Sequence, residues 1–139
     1  MFREIAQRVL HRWQEEGLHP QSPVPVEEII TKLQDIGVTP NPEVLDVYSH
    51  LNGLDDTEMD LELFAFWSIK KIRLENRRNS EMVAFADFLI DSHRYAFRIE
   101  PDGVIGIYVD YGKNEKVRIA DSFSEFFELY LTDTAKLFQ

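Results

Sequence analysis

The chain contains no cysteine. Disulfides, thiolate metal sites and cysteine nucleophiles are therefore excluded, and the composition fits a reducing compartment. Long apolar runs are missing too. The longest, "LFAFW" and "MVAFA", fall far short of the roughly 20 residues that a membrane-spanning helix needs. The N-terminal stretch "MFREIAQRVLHRWQEEG" carries charge throughout and has no apolar signal-peptide core. These absences predict a soluble, cytoplasmic protein with no membrane partner.

Bases are scarce relative to acids. The chain has 15 Lys and Arg against 25 Asp and Glu, a net charge of -10. Such a field repels nucleic acid and anionic membranes. It favours solubility, and it speeds encounter with a basic protein partner. The four histidines, His11, His19, His50 and His93, are dispersed and form no H-x-x-x-H pair, so they lack the local spacing of a zinc site. His50 reads as a helix-surface residue and His93 as a strand-edge one. There is no nucleophile elbow, no phosphate-binding glycine loop and no sequence-evident Ser/His/Asp arrangement. The expectation is a non-enzymatic protein without metal or cofactor.

What is present reads as helices followed by strands. Phe2, Ile5, Val9 and Trp13 follow a helical period over residues 2–16, and Gly17 stops it. "HPQSPVP" reads as a linker. Ile29, Ile30, Leu33 and Ile36 form the stripe of a second helix from Val26, with Gly37 as its stop. A third is marked by Asn41 as cap, Pro42 at the first position and Asn52-Gly53 as terminator. "ELFAFW" reads as a short buried strand, and Ser68 caps a short helix, "IKKIRLENRR". The period then changes to two. "MVAFADFLI", "RYAFRI", "VIGIYVD" and "KVRIA" read as strands, the middle pairs joined by the turns "EPDG" and "YGKN". Tyr95, Phe97 and Ile99 share one face, as do Ile105, Ile107 and Val109. Ser122 and Glu125 form a capping box for a terminal helix with the stripe Phe123, Phe126, Phe127, Tyr130 and Leu131. The order predicts one α+β domain over residues 1–139: helices through residue 53, a sheet over 61–120 and a terminal helix over 122–132. The sheet is expected to be an antiparallel or mixed meander of about four to six strands, flanked by the N-terminal helices and the C-terminal helix.

The sharpest local feature is "LNGLDDTEMDLE". Asp55, Asp56, Glu58, Asp60 and Glu62 crowd residues 55–62 with no base among them. Counted as a calcium loop from Asp56, the sixth position is Leu61 and the twelfth is Trp67, where such a loop needs Gly and Glu. On a loop, solvent keeps these carboxyls ordinary, which speaks against acid/base catalysis. The stretch is either a solvated loop or a face for a basic partner. Asp87 stands out inside an apolar strand. Simple alternation places it with Val83, Phe85 and Leu89, as an edge or bulge residue or one bonded to a backbone amide. Lys70, Lys71, Arg73, Arg77 and Arg78 form a basic cluster. Lys71 and Glu75 are spaced for a helix ion pair, and no aromatic is interleaved. The cluster reads as a solvated helix face rather than a nucleic-acid site, free to contact an acidic partner or the loop at 55–62.

The order of landmarks resembles the SUKH superfamily over residues 41–131. The resemblance rests on "NPEVLDVYSHLNG", "FWSIKKI", "VAFADF", "RYAFRIEPDGVIGIY" and "IADSFSEFFELYL". The family's usual Leu-Pro is Asn41-Pro42 here, and "FAD" runs on into "FLIDSHRYAF" in place of a polar, glycine-containing turn. The resemblance implies a SUKH-like α+β fold and binding rather than catalysis. Many bacterial members look like immunity proteins that neutralise a cognate toxin, nucleases and deaminases among them, by direct contact. Eukaryotic members, the Knr-type cell-wall regulators included, bind other proteins, so a regulatory scaffold with no toxin is the alternative. On the immunity reading the partner is a basic toxin domain. Asp55, Asp56, Glu58, Asp60 and Glu62 then supply the charged part of the interface, and Tyr108 and Tyr111 are its candidate aromatic anchors. Tyr48 is assigned to core packing.

Overall fold

The computed structural model describes residues 2–113 and 115–138. Helix α1, Arg3–Glu15, buries Ala6, Val9 and Trp13. Gly17 lets it end, because its φ of +76° turns the chain so that the Leu18 amide returns to the Trp13 carbonyl at 3.0 Å. Helix α2, Val26–Gln34, carries Glu27 and Glu28 in its first turn, where negative charge suits the helix dipole. Helix α3, Pro42–His50, starts as its sequence dictates: the Asn41 side chain accepts the amides of Glu43 at 2.9 Å and Val44 at 3.3 Å. Helix α4, Ile69–Glu75, is capped by Ser68. Helix α5, Phe123–Thr132, is capped by Ser122, which accepts the Glu125 amide at 3.0 Å. The Glu125 carboxylate reaches back to the amide of Asp121 rather than to that of Ser122.

The strands are β1 (Phe64–Phe66), β2 (Val83–Phe88), β3 (His93–Ile99), β4 (Ile105–Asp110) and β5 (Lys116–Ala120). They form one five-stranded antiparallel sheet in the order β1-β2-β3-β4-β5. The fold is thus α+β with an antiparallel meander. The "EPDG" turn closes with the Gly103 amide on the Glu100 carbonyl at 2.8 Å. Of the "YGKN" turn, Asn114 lies outside the described residues, as do Met1 and Gln139. Helix α5 covers one sheet face through its aromatic stripe. Phe85 meets Phe123 and Phe126 at centroid distances of 5.1 and 5.3 Å, and Phe97 meets Phe123 at 5.5 Å. Helices α1 and α3 pack on α5. One contiguous apolar core runs from Phe2 to Leu137, and Tyr48 belongs to it.

Several expectations need correction. A bulge lies between Ala84 and Ala86 of β2, so Phe85 and Ala86 both enter the core and strict alternation fails. Asp87 is consequently turned away from Phe85. It sits opposite Ala65 of β1 and Arg94 of β3. His93 is not at a strand edge: β3 is an interior strand, and the ring is buried against Phe88, nearly parallel at 5.1 Å. Burial lowers its pKa. Gly53 does not terminate α3, which ends at His50 with Leu51 extended. Its φ of +72° instead permits a close crossing, since a Cβ there would lie 2.5 Å from the Trp67 carbonyl carbon. A 3-10 turn, Thr134–Phe138, follows α5, beyond the end of the terminal helix that the sequence predicts.

Two members of the basic cluster, Arg73 and Arg78, are spent internally, while Lys70 and Arg77 stay exposed. Arg73 pairs with Asp35 at 2.8 Å. Arg78 donates to the carbonyls of Gln34 and Asp35, where the end of α2 favours a cation. Helix α4 stops at Glu75, leaving Arg77 and Arg78 beyond it. Glu75 pairs with Arg94 rather than with Lys71.

Candidate functional site

The acid-rich segment folds as a loop fastened at several points, and its carboxylates have unequal roles. Asp60 is only 3 % exposed. It accepts the amides of Glu62 and Phe64, each at 2.9 Å, and the hydroxyl of Tyr130 from α5. The same hydroxyl accepts the indole N–H of Trp13 at 3.0 Å. Burial raises the Asp60 pKa, against the hydrogen bonds that favour its charged form, and burial likewise raises that of Tyr130. Asp60 therefore cannot belong to an exposed partner-binding face, and its carboxyl is not kept ordinary by solvent.

Glu62 pairs with Arg12 and accepts the Thr134 hydroxyl at 3.0 Å. Glu58 is held by the amide and ring of His19, both at 2.6 Å, and this contact raises the His19 pKa. Asp55 accepts the amide and hydroxyl of Thr57 at 3.0 and 2.7 Å, a local turn that lowers its pKa. Among the described residues, Asp56 meets only Gln21, at 3.3 Å. Asp55 and Asp56 are exposed. Of the five acids, these two point their charge outward; Glu58 and Glu62 are engaged, and Asp60 is a buried fastening.

Beside the loop lies a cleft of about 390 Å³. Residues 56–59 form one wall, Lys71 and Glu75 of α4 another, and Ile90, Asp91 and Arg94 the far rim, with Trp67 and Asp87 at the base. Asp87 organises the rim. One carboxylate oxygen accepts the Trp67 indole N–H at 2.8 Å, and the other accepts the Asp91 amide at 3.0 Å. Arg94 grips Asp91 with two hydrogen bonds, at 2.8 and 3.0 Å. That pairing raises the Arg94 pKa and lowers that of Asp91. Arg94 and Lys71 also lie over the Trp67 ring at 5.0 and 5.3 Å, a favourable cation–π geometry.

The two tyrosines singled out from sequence do not line this cleft. Tyr108, on β4, donates to Glu100 at 2.6 Å beneath Arg118. Tyr111 packs on His93 at 5.0 Å. It borders a shallower neighbouring depression that shares Asp91 and Arg94 with the cleft. Sequence reading missed Trp67, Asp87, Ile90, Asp91 and Arg94 as a group. One signal was available: "FLIDSHR" connects two strands without Gly, Pro or Asn.

Among the described residues, no group of three His, Asp or Glu is placed to hold a metal ion, and no helix is long and apolar enough to cross a membrane. Compared with known proteins, the chain matches no family model and no curated protein sequence.

Proposed function

We propose that the protein is a non-enzymatic binding domain that captures a basic protein partner on the face made by the acid-rich loop and the cleft beside it. The carrying observation is the exposure of Asp55 and Asp56 on a loop fixed from beneath by Asp60 and Tyr130. A charged face that is already ordered loses little conformational entropy on binding. With a net charge of -10 behind it, it also draws a cationic partner through solution. The SUKH resemblance adds the biological form: an immunity protein that blocks a toxin. A nuclease toxin carries a basic groove for the phosphate backbone, and carboxylates on a rigid loop can occupy it.

The test is affinity capture from the source organism at low and high salt, with the retained proteins identified by mass spectrometry. The proposal expects one basic, toxin-like protein, held at low salt and released at high salt. Retention of several unrelated housekeeping proteins, or of nothing, would contradict it.

A further inference from the structure

The β2–β3 turn combines two breaches of local rules with a buried anchor. Leu89, Ile90 and Asp91 have φ values of 53°, 52° and 63°, three consecutive left-handed residues of which none is glycine. For a β-branched residue such as Ile90 this is a true outlier. Leu89 and Ile90 are also exposed, Ile90 to 79 %. Finally, the turn is held in place by the buried Asp87 carboxylate, itself fixed by the Trp67 indole.

The same end of the sheet carries two more exposed leucines. Leu61 is 81 % exposed and Leu63 38 %, and Leu63 is left-handed as well. The two segments touch, since the Leu89 amide donates to the Leu63 carbonyl at 2.9 Å. Polar residues normally occupy such turns. Here the chain holds a strained backbone that displays aliphatic side chains to water, beside a cleft whose lining sets the carboxylates of Asp56, Glu58, Glu75, Asp87 and Asp91 against the two cations Lys71 and Arg94.

We infer that Leu89 and Ile90, with Leu61 and Leu63, are the apolar anchor for a basic amphipathic segment of a protein partner, whose cations lie along the acidic cleft. The inference rests on the binding reading above and adds the apolar half of the contact. Charge complementarity selects the occupant. Arg94 already pairs with Glu75 and Asp91, so it is the net excess of carboxylates along the cleft, exposed Asp56 included, that repels a second copy of this acidic chain and an anionic membrane and matches Lys or Arg flanking an apolar stripe.

Ile90→Asn separates display from structure, because Asn accepts the left-handed conformation that Ile resists. The free variant should melt no lower than the wild type. The probe is a synthetic peptide of alternating Leu and Lys, with a Leu and Glu peptide of equal length as control, titrated into isotopically labelled protein. We expect the Leu/Lys peptide alone to shift the resonances of Leu61, Leu63, Leu89 and Ile90, and Ile90→Asn to weaken its binding by about tenfold or more. A lower melting temperature for Ile90→Asn would make the side chain structural and overturn the inference. Shifts confined to residues 55–58, with equal affinity for the variant, would overturn it while leaving the acidic face standing. No binding by either protein would remove both. Protection of the same residues by phosphatidylcholine vesicles or by self-association, and not by the peptide, would also overturn it.

Discussion

The Tyr130 hydroxyl, in the terminal helix, is donated to Asp60, in the middle of the acid-rich loop and seventy residues away in sequence. This bond makes the loop an extension of the core. Removing the carboxylate strands three donors: the hydroxyl and the amides of Glu62 and Phe64. Asp60→Ala is expected to cost about 2–4 kcal/mol, given the penalty for unpaired buried donors. A double-mutant cycle with Tyr130→Phe should return a coupling of about 1–3 kcal/mol. Additive denaturation free energies would show that the two side chains do not act together.

The same site has a defined pH signature. Because burial raises the folded pKa of Asp60, its contribution is fullest below the unfolded carboxylate value of about 3.9 and is lost as pH rises through the folded value. Asp60→Asn cannot titrate. The wild type should therefore lose stability relative to Asp60→Asn as pH climbs from acid towards neutrality, measured by urea denaturation of both proteins. A constant difference across that range would contradict the direction of the shift.

His19 fastens the exposed end of the loop through Glu58. Its raised pKa means that the charged contact is in place at mildly acidic pH and fades as pH rises through a value above the ordinary 6.5 or so. An NMR titration of the His19 ring should show that raised midpoint, and Glu58→Gln should bring it back down. An unchanged midpoint in Glu58→Gln would place the cause elsewhere.

Trp67→Phe keeps an aromatic ring but removes the pyrrole half of the indole and with it the N–H. One oxygen of the buried Asp87 then lacks its donor, a change expected to cost about 1–3 kcal/mol. Since the other oxygen holds the Asp91 amide, that amide should also exchange faster. Unaltered stability and exchange would mean that the indole does not support the turn.

Local signals explain what could be read from the sequence. Asn41, Ser68 and Ser122 cap α3, α4 and α5 because their side chains meet amides two or three residues on, and period-two patterning fixed the inward faces of β3 and β4. Tertiary events explain the rest. The bulge at Phe85 turns Asp87 to the opposite face, and in "VAFADF" only the acid at an apolar position points to it. Asp60 looks like its acidic neighbours in sequence. It differs only because α5 brings Tyr130 over it. The cleft joins residues from loop, helix and hairpin, so its members carry no common spacing. The left-handed turn at Leu89–Asp91 was visible only as an absence of the residues that such a turn usually contains.

The most direct test of the binding account is the association rate between the protein and its captured partner over a range of salt concentrations, compared with Asp55→Asn/Asp56→Asn. These two exposed side chains can be changed while Asp60 keeps the loop in place. The account predicts that the wild type associates fast at low salt and slows as salt rises, and that the variant is slower at low salt with a flatter dependence. Identical rates at every salt concentration would contradict the claim that this loop captures the partner.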